Sequence, residues 1–342
     1  MSLKVLITRD YDQMSQVAAC CAIGTLRKRI AEKGGAVLGL ATGASPTGLY
    51  KHLAKAANSG EFDPGKVRTF NLDEYVGLPG DNAQLRALHP ESYSYFMVQE
   101  LFSLMRKKFV STHVPYGCLV EQAALDKALA EATGDYHLEG ADKGKAVCIH
   151  KDAKDATLAA IRRDVLEAYP AAIRAAGGID LHVIGVGGRG HVAFHESGIP
   201  FENNEMLLVK LDANTVENAV KDGHFPSVEA SPRYAISMGA VLVYEAREIL
   251  LLASGARKSE PLAASLAEDP SPAVPISYSQ VHSKRGGTTT YVVDEAAAAG
   301  ILARKGEIEG RGIEIVDLRD KGHVVPLESI AFVRDAKSGL LG

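Results

Sequence analysis

Apolar and polar positions alternate along the chain between short continuous runs and longer helical stretches. Residues 14–33 (MSQVAACCAIGTLRKRIAEK) read as a helix closed by Gly34–Gly35, because glycine takes the left-handed conformation that ends helices. AVLGLA, at 36–41, is a short apolar run of the kind a strand shows when both of its faces are buried. The alternation continues with a helix around 47–57, a strand at 67–72 (VRTFNL) and a helix running from His89 through Lys108. A long helix covers roughly 156–176 and is followed by a strand at 179–186. MLLVKL (206–211), EILLLAS (248–254) and TTTYVV (288–293) are further strands, with KSEPLAASLA helical between the last two. The pattern predicts a Rossmann-like α/β fold, a mainly parallel sheet with helices on both faces. There is no internal repeat.

Two segments stand outside this rhythm. Residues 113–153 mix helical and polar character and read as an insertion in an α/β domain spanning 1–299. Residues 300–342 turn β-rich and read as an appended extension, a hairpin or cap. AEDPSPAVPIS, at 267–277, is a proline-rich surface loop.

The stretch GVGGRGHVAFHESG (185–198) follows an apolar strand, and Gly185, Gly187 and Gly190 spell the spacing of a dinucleotide-binding turn. Asp212 even stands where that motif places its ribose-binding acid. The motif must also open a helix that holds the pyrophosphate, and Gly198 and Pro200 argue against one here. The alternative is a turn that presents His191 and Glu196 at a strand end, where open α/β sheets bind their ligands.

Three other strand ends carry polar groups. Thr42-Gly43-Ala44-Ser45 enters a helix with small residues whose amides and hydroxyls suit a phosphate; an ordinary capped turn is the alternative. Asp73-Glu74 is an acidic pair after a buried strand, and Gly255-Ala256-Arg257-Lys258 sets a lysine at another helix start. Taken singly, these are solvated loop acids and a surface lysine. Together, a phosphate cradle, an acid, a histidine with a carboxylate and a lysine point to acid–base work on a small phosphorylated substrate.

Composition narrows the partners. The chain has 342 residues, 46% hydrophobic and 23% charged, enough for a substantial core in one large domain or two smaller ones. A formal net charge of −4 gives no footprint for nucleic acid or an anionic membrane. No apolar run approaches the ~18 residues of a membrane span, and the N-terminus lacks the apolar segment of a signal peptide. Cys20 and Cys21 are neighbours, and Cys118 and Cys148 show no metal-type spacing, so the reading is reduced thiols in a cytoplasmic protein with no metal. Homo-oligomerisation is left open. No Walker loop, zinc signature or Ser-His-Asp set is found.

At these residues the sequence resembles the glucosamine-6-phosphate deaminase (isomerase) family, part of a superfamily shared with 6-phosphogluconolactonases. The resemblance rests on LGLATGASPTGLY, FNLDEYVGLP, HPESYSYFM, GGIDLHVIGVGGRGHVAFHE and SGARK, in that order. DEYVGLP followed by HPESY is specific to the deaminase side. It implies a cofactor-free enzyme of sugar-phosphate metabolism, with Asp73 as the base that moves a proton from C2 to C1 of the open-chain sugar. His191 would open the pyranose ring with Glu196 orienting it, and Thr42, Gly43, Ala44, Ser45 and Lys258 would hold the phosphate. Lys221 falls near the place of a phosphate-binding arginine.

This chain departs from the family pattern at several positions. Arg189 stands where the family has Asp or Asn, His195 where it has Asn, Ser197 where it often has Pro, and Ala44 at the second glycine of the phosphate loop. The basic residues that bind an allosteric sugar phosphate in some members have no match around Leu207–Val209, so no such activation is expected. An arginine aimed into the site would disfavour the charged form of His191; the alternative is a guanidinium turned to solvent. Two other functions compete with the deaminase: a lactonase, needing only His191 and the phosphate site, and a non-catalytic sugar-phosphate sensor. The intact Asp73, His191 and Glu196 favour an enzyme.

Overall fold

A computed structural model describes residues 2–142, 144–221 and 223–332. Its strands are β1 Leu3–Thr8, β2 Ala36–Leu40, β3 Val67–Asn71, β4 Asp73–Val76, β5 Ser111–His113, β6 Tyr136–Glu139 and β7 Lys145–Ile149. They continue with β8 Leu181–Ile184, β9 Met206–Lys210, β10 Tyr234–Met238, β11 Glu248–Ala253, β12 Thr288–Asp294 and β13 Glu314–Asp317. Among the described residues, eight of them make one sheet in the order β13-β1-β12-β11-β8-β2-β3-β5. All pairings in that sheet are parallel. Every residue of β2 and β8 is buried, as continuous apolar strands must be when helices cover both faces. The α/β architecture expected from the alternation is present.

The helix expected at 14–33 runs from Tyr11 to Lys33, capped by the Asp10 carboxylate and ended by Gly34 at φ 79°. The one expected from His89 starts later, at Tyr93, because Ser92 caps it and Pro90 lies in the turn before. Beyond Met97 it widens into a π-type stretch, Val98–Phe102. The long helix at 156–176 is likewise interrupted by a π-type stretch at Arg162–Glu167, just before Pro170. Proline has no N–H to donate and its ring crowds the preceding turn, and a locally wider helix accommodates both.

The second sheet is the main addition to the sequence reading. Its order is β4-β10-β9-β7-β6, all antiparallel. Residues 113–153, set apart above as an insertion, contribute β6 and β7 to it, and β7 pairs with β9. The tail needs a correction. Among the described residues its expected β-rich character is confined to β13, which pairs with β1 at the edge of the main sheet. Glu295–Ala303 and Lys305–Gly310 are helical, started by the Asp294 side chain on the Ala297 amide. Ile301 and Ile308, seven residues apart, are both fully buried, which is a helical rather than a strand repeat. Residues 333–342 of the expected extension lie outside the described residues.

Candidate active site

Four consecutive strands of the main sheet, β11, β8, β2 and β3, end side by side, and neighbouring strands lie about 4.8 Å apart. Their carboxyl ends carry Lys258, His191, the Thr42–Ser45 turn and Asp73. The topology therefore gathers what the sequence scatters over more than 200 positions.

Asp73 follows β3 after a single residue, Leu72. Leu72 is tied back to β2 by its amide on the Leu40 carbonyl (3.1 Å), and its own carbonyl takes the Met238 amide (2.8 Å). Asp73 then opens β4, opposite Ser237 of β10. Its side chain is buried, and Oδ1 has no hydrogen-bond partner among the described residues. Burial, and then the neighbouring Glu74 charge, push its pKa well above the ordinary carboxylate range. A buried carboxylate aimed at no protein donor is what a proton-transferring base requires.

Glu74 does something different. Its carboxylate accepts from the Ser92 hydroxyl (2.7 Å), the Tyr93 and Ser94 amides (3.0 and 3.1 Å), the Ser94 hydroxyl (3.2 Å) and the Tyr75 amide (2.9 Å). It is the anion at the start of the Tyr93–Met97 helix, which explains why DEY and HPESY occur together. The acidic pair is thus one unpartnered acid and one structural anchor.

The glycine turn after β8 presents a histidine rather than a cofactor cradle. The Gly187 amide closes on the His191 carbonyl and the Gly190 amide on the Gly187 carbonyl, both at 3.0 Å, with Gly190 at φ 79°. His191 Nδ1 lies 3.5 Å from Glu196 Oε2, and the Thr215 hydroxyl donates to Glu196 Oε1 at 2.7 Å. Burial pushes the Glu196 carboxyl up, but His191, Thr215 and the Asp212 amide outweigh it and hold its pKa below the ordinary value. Glu196 is therefore an anion beside an imidazole that is still 22% exposed, open to a ligand. Phe194, in the same loop, donates its amide to the Ser237 hydroxyl (2.9 Å). Ser237 faces Asp73 across the strands, so the histidine loop and the acid share one support.

A Cβ on Gly187 would lie 1.8 Å from His191 Nε2. Gly187→Ala should displace the imidazole and lower kcat/KM by about 10²-fold or more, the value of a positioned acid–base group. The melting temperature should hardly move, since the ring can swing to solvent. Steady-state kinetics and a thermal melt on the same sample check this.

His195, unlike His191, is structural. It is fully buried, accepts the Ala240 amide on Nδ1 (3.0 Å) and donates from Nε2 to the Ile199 carbonyl (3.0 Å). Burial lowers its pKa to about 4, so it stays neutral. Arg189 has two carboxylate partners, Asp142 and the buried Asp212, the latter at 3.0 Å. This is neither an arginine turned wholly to solvent nor an unpaired cation acting on His191. It fastens the histidine turn to the β6–β7 loop and to the segment before Ala213–Lys221. Asp212 thereby has a role that the dinucleotide reading could not supply.

For the phosphate, Gly43 (φ 88°) leads from β2 into the helix Ala44–Asn58 with no side-chain cap, so first-turn amides remain to meet an anion. Tyr11 braces this turn, donating to the Ala44 carbonyl (2.6 Å) and accepting the Gly48 amide (3.0 Å). Gly255 (φ 91°) makes a similar entry after β11, fixed by its amide on the Asp294 carboxylate (3.1 Å), and sets the half-buried Lys258. Lys221 stands 70% exposed on its helix, 3.7 Å from Glu217.

Comparisons with known proteins give the family. The family model of glucosamine-6-phosphate isomerases/6-phosphogluconolactonase matches residues 127–290. The chain is 34% identical over 297 residues to the glucosamine-6-phosphate deaminase of Thermoanaerobacter sp. (strain X514), covering 87% of this chain and 94% of that one. It is also 34% identical over 299 residues to glucosamine-6-phosphate deaminase 2 of Bacillus subtilis (strain 168), covering 86% and 96%. Among solved structures, a monomeric glucosamine-6-phosphate deaminase superposes with a TM-score of 0.64 at 26% identity, covering 87% of this chain and all of that one. The 6-phosphogluconolactonase from Leishmania guyanensis, at TM-score 0.54 and 18% identity over 88% and 99% of the chains, shares the fold. At this identity and coverage, the chain is an enzyme of the glucosamine-6-phosphate isomerase/6-phosphogluconolactonase family.

Proposed function

We propose that this enzyme converts glucosamine 6-phosphate to fructose 6-phosphate and ammonia by acid–base catalysis. The observation that carries the proposal is Asp73, buried with an unpartnered Oδ1 and supported through Ser237 by the loop that holds His191 and Glu196. His191, oriented by Glu196, moves protons between the ring oxygen and the C1 hydroxyl and opens the pyranose. The resulting aldehyde acidifies the C2 proton. Asp73 takes that proton, giving an enol that carries nitrogen at C2, exchanges it with solvent, and delivers a proton to C1. Water adds to the imine so formed at C2, and ammonia leaves. Protons and water move without net oxidation, so the named side chains suffice without a cofactor. Glu74 and Arg189 act as positioning residues, and the phosphate is assigned to Thr42, Gly43, Ala44, Ser45 and Lys258. Lys221 is given no step.

The free cysteines fit a cytoplasmic setting. Among the described residues no helix is long and apolar enough to cross a membrane.

The test is an ammonia-release assay over a panel of amino-sugar phosphates, with 6-phosphogluconolactone hydrolysis measured in parallel. Ammonia from glucosamine 6-phosphate is the expected result; lactone hydrolysis without ammonia would replace the proposal by the lactonase reading. Lys258→Ala should raise KM roughly ten- to hundredfold with little change in kcat. A charge-assisted hydrogen bond to phosphate contributes about 1.5–3 kcal/mol, mostly as uniform binding. An unchanged KM would remove Lys258 from the phosphate site.

A further inference from the structure

The β6–β7 hairpin carries a second cluster of chemically active side chains, outside the candidate active site. His137 of β6 is in register with Cys148 of β7. Residues two apart on a strand share a face, so Glu139 joins His137, and His150, just past the end of β7, follows Cys148. The ligating atoms of His137, Glu139 and Cys148 all lie within 4.8 Å of one another. Donors bound at about 2.0–2.3 Å to one tetrahedral ion stand roughly 3.3–3.8 Å apart. Small rotamer adjustments separate this cluster from a coordination set.

The hydrogen bonds around it fix which atoms face inward. The Gly134 carbonyl can only accept, so His150 Nδ1, at 3.1 Å, must donate to it. Neutral His150 then offers its Nε2 lone pair to His137 Nδ1–H at 3.0 Å. Neutral His137 is left with a lone pair on Nε2, and that atom lies 3.2 Å from Glu139 Oε1. The other Glu139 oxygen takes the Nδ2 of Asn204 (3.1 Å), itself only 3% exposed. The histidine is therefore oriented by a second imidazole and a carbonyl, and the carboxylate by a buried amide, the outer-shell arrangement of metal sites.

We propose that the β6–β7 hairpin binds a divalent metal ion of the zinc type through His137 Nε2, a Glu139 oxygen and Cys148 Sγ, with the fourth position open to solvent. Imidazole, carboxylate and thiolate together suit zinc. Binding forms a metal–sulfur bond and releases the thiol proton to solvent; no electron moves. The site is tied to the catalytic loop. Asn204 also donates to the Pro200 and Glu202 carbonyls (2.9 and 3.1 Å), and the Ala141 amide to the Gly198 carbonyl (2.8 Å). Gly144 packs against Glu196 so closely that a Cβ there would fall 2.6 Å from the Glu196 Cβ. An ion on this hairpin would stiffen the covering of Glu196.

Titration of the wild-type enzyme with Co²⁺ alone tests the proposal. A cobalt–thiolate absorption band saturating at one equivalent per chain and displaced by Zn²⁺ is expected. It should disappear in Cys148→Ser, and His150→Gln should weaken binding by about 10–100-fold. A second measurement needs no variant: Zn²⁺ should slow alkylation of Cys148, mapped by mass spectrometry, without slowing that of Cys20, Cys21 or Cys118. Absence of the band, its survival in Cys148→Ser, or equal alkylation of Cys148 with and without Zn²⁺ would overturn the assignment.

Discussion

Asp73→Asn is expected to lower kcat/KM for glucosamine 6-phosphate by about 10³-fold or more while leaving KM nearly unchanged. The amide keeps the shape of the side chain and removes the base, and a positioned base is worth roughly 10²–10⁴-fold. The pH dependence has a definite sign. The base works only when ionised, and burial together with Glu74 raises its pKa well above the ordinary range. In the free wild-type enzyme, kcat/KM should therefore fall as pH drops through that raised value, at a higher pH than an exposed aspartate would give. The limb should vanish from the residual activity of Asp73→Asn. Stopped assays across pH on both proteins check both parts, and an unshifted limb present in the mutant would assign the titration to another group.

His191→Asn carries the second large effect, about 10²–10⁴-fold in kcat/KM, with a signature of its own. If His191 serves ring opening and Asp73 the later proton transfer, the variant depends on ring opening in solution. Its progress should stop accelerating once enzyme is added in excess, whereas Asp73→Asn should stay proportional to enzyme concentration. The kinetic split follows from the structure, because the two groups stand beyond different strands of the main sheet and differ in their partners: Glu196 at 3.5 Å for His191, none for Asp73 Oδ1. An enzyme-proportional rate in His191→Asn would remove ring opening from its role.

The strand ends of the candidate site were legible because each lies directly after a buried apolar run, and a parallel sheet brings such ends to one side. The histidine turn was legible for a local reason: Gly198 and Pro200 forbid the helix that a dinucleotide site needs. What stayed hidden is non-local. Glu74 looks like a twin of Asp73 in sequence, and only the fold sets it on amides 19 and 20 residues away. Arg189 finds its carboxylates 47 and 23 residues off, at Asp142 and Asp212, so no spacing rule could pair them. The second sheet was missed because a single residue, Leu72, separates β3 from β4, and the polar Asp73-Glu74 reads as a loop after one strand where it opens the next, in the other sheet. His137-x-Glu139 and Cys148-x-His150 carry a faint signal, two ligand-type pairs at strand period. It becomes visible only when the hairpin register sets His137 opposite Cys148.

The central claim is that Asp73 carries a proton between C2 and C1 of an amino-sugar phosphate opened by His191. Its most direct test is to run the reaction in D₂O on glucosamine 6-phosphate and read the product by NMR. The account predicts ammonia and fructose 6-phosphate carrying solvent deuterium at C1, with uptake abolished in Asp73→Asn. Ammonia release with wild-type deuterium uptake in Asp73→Asn would contradict it.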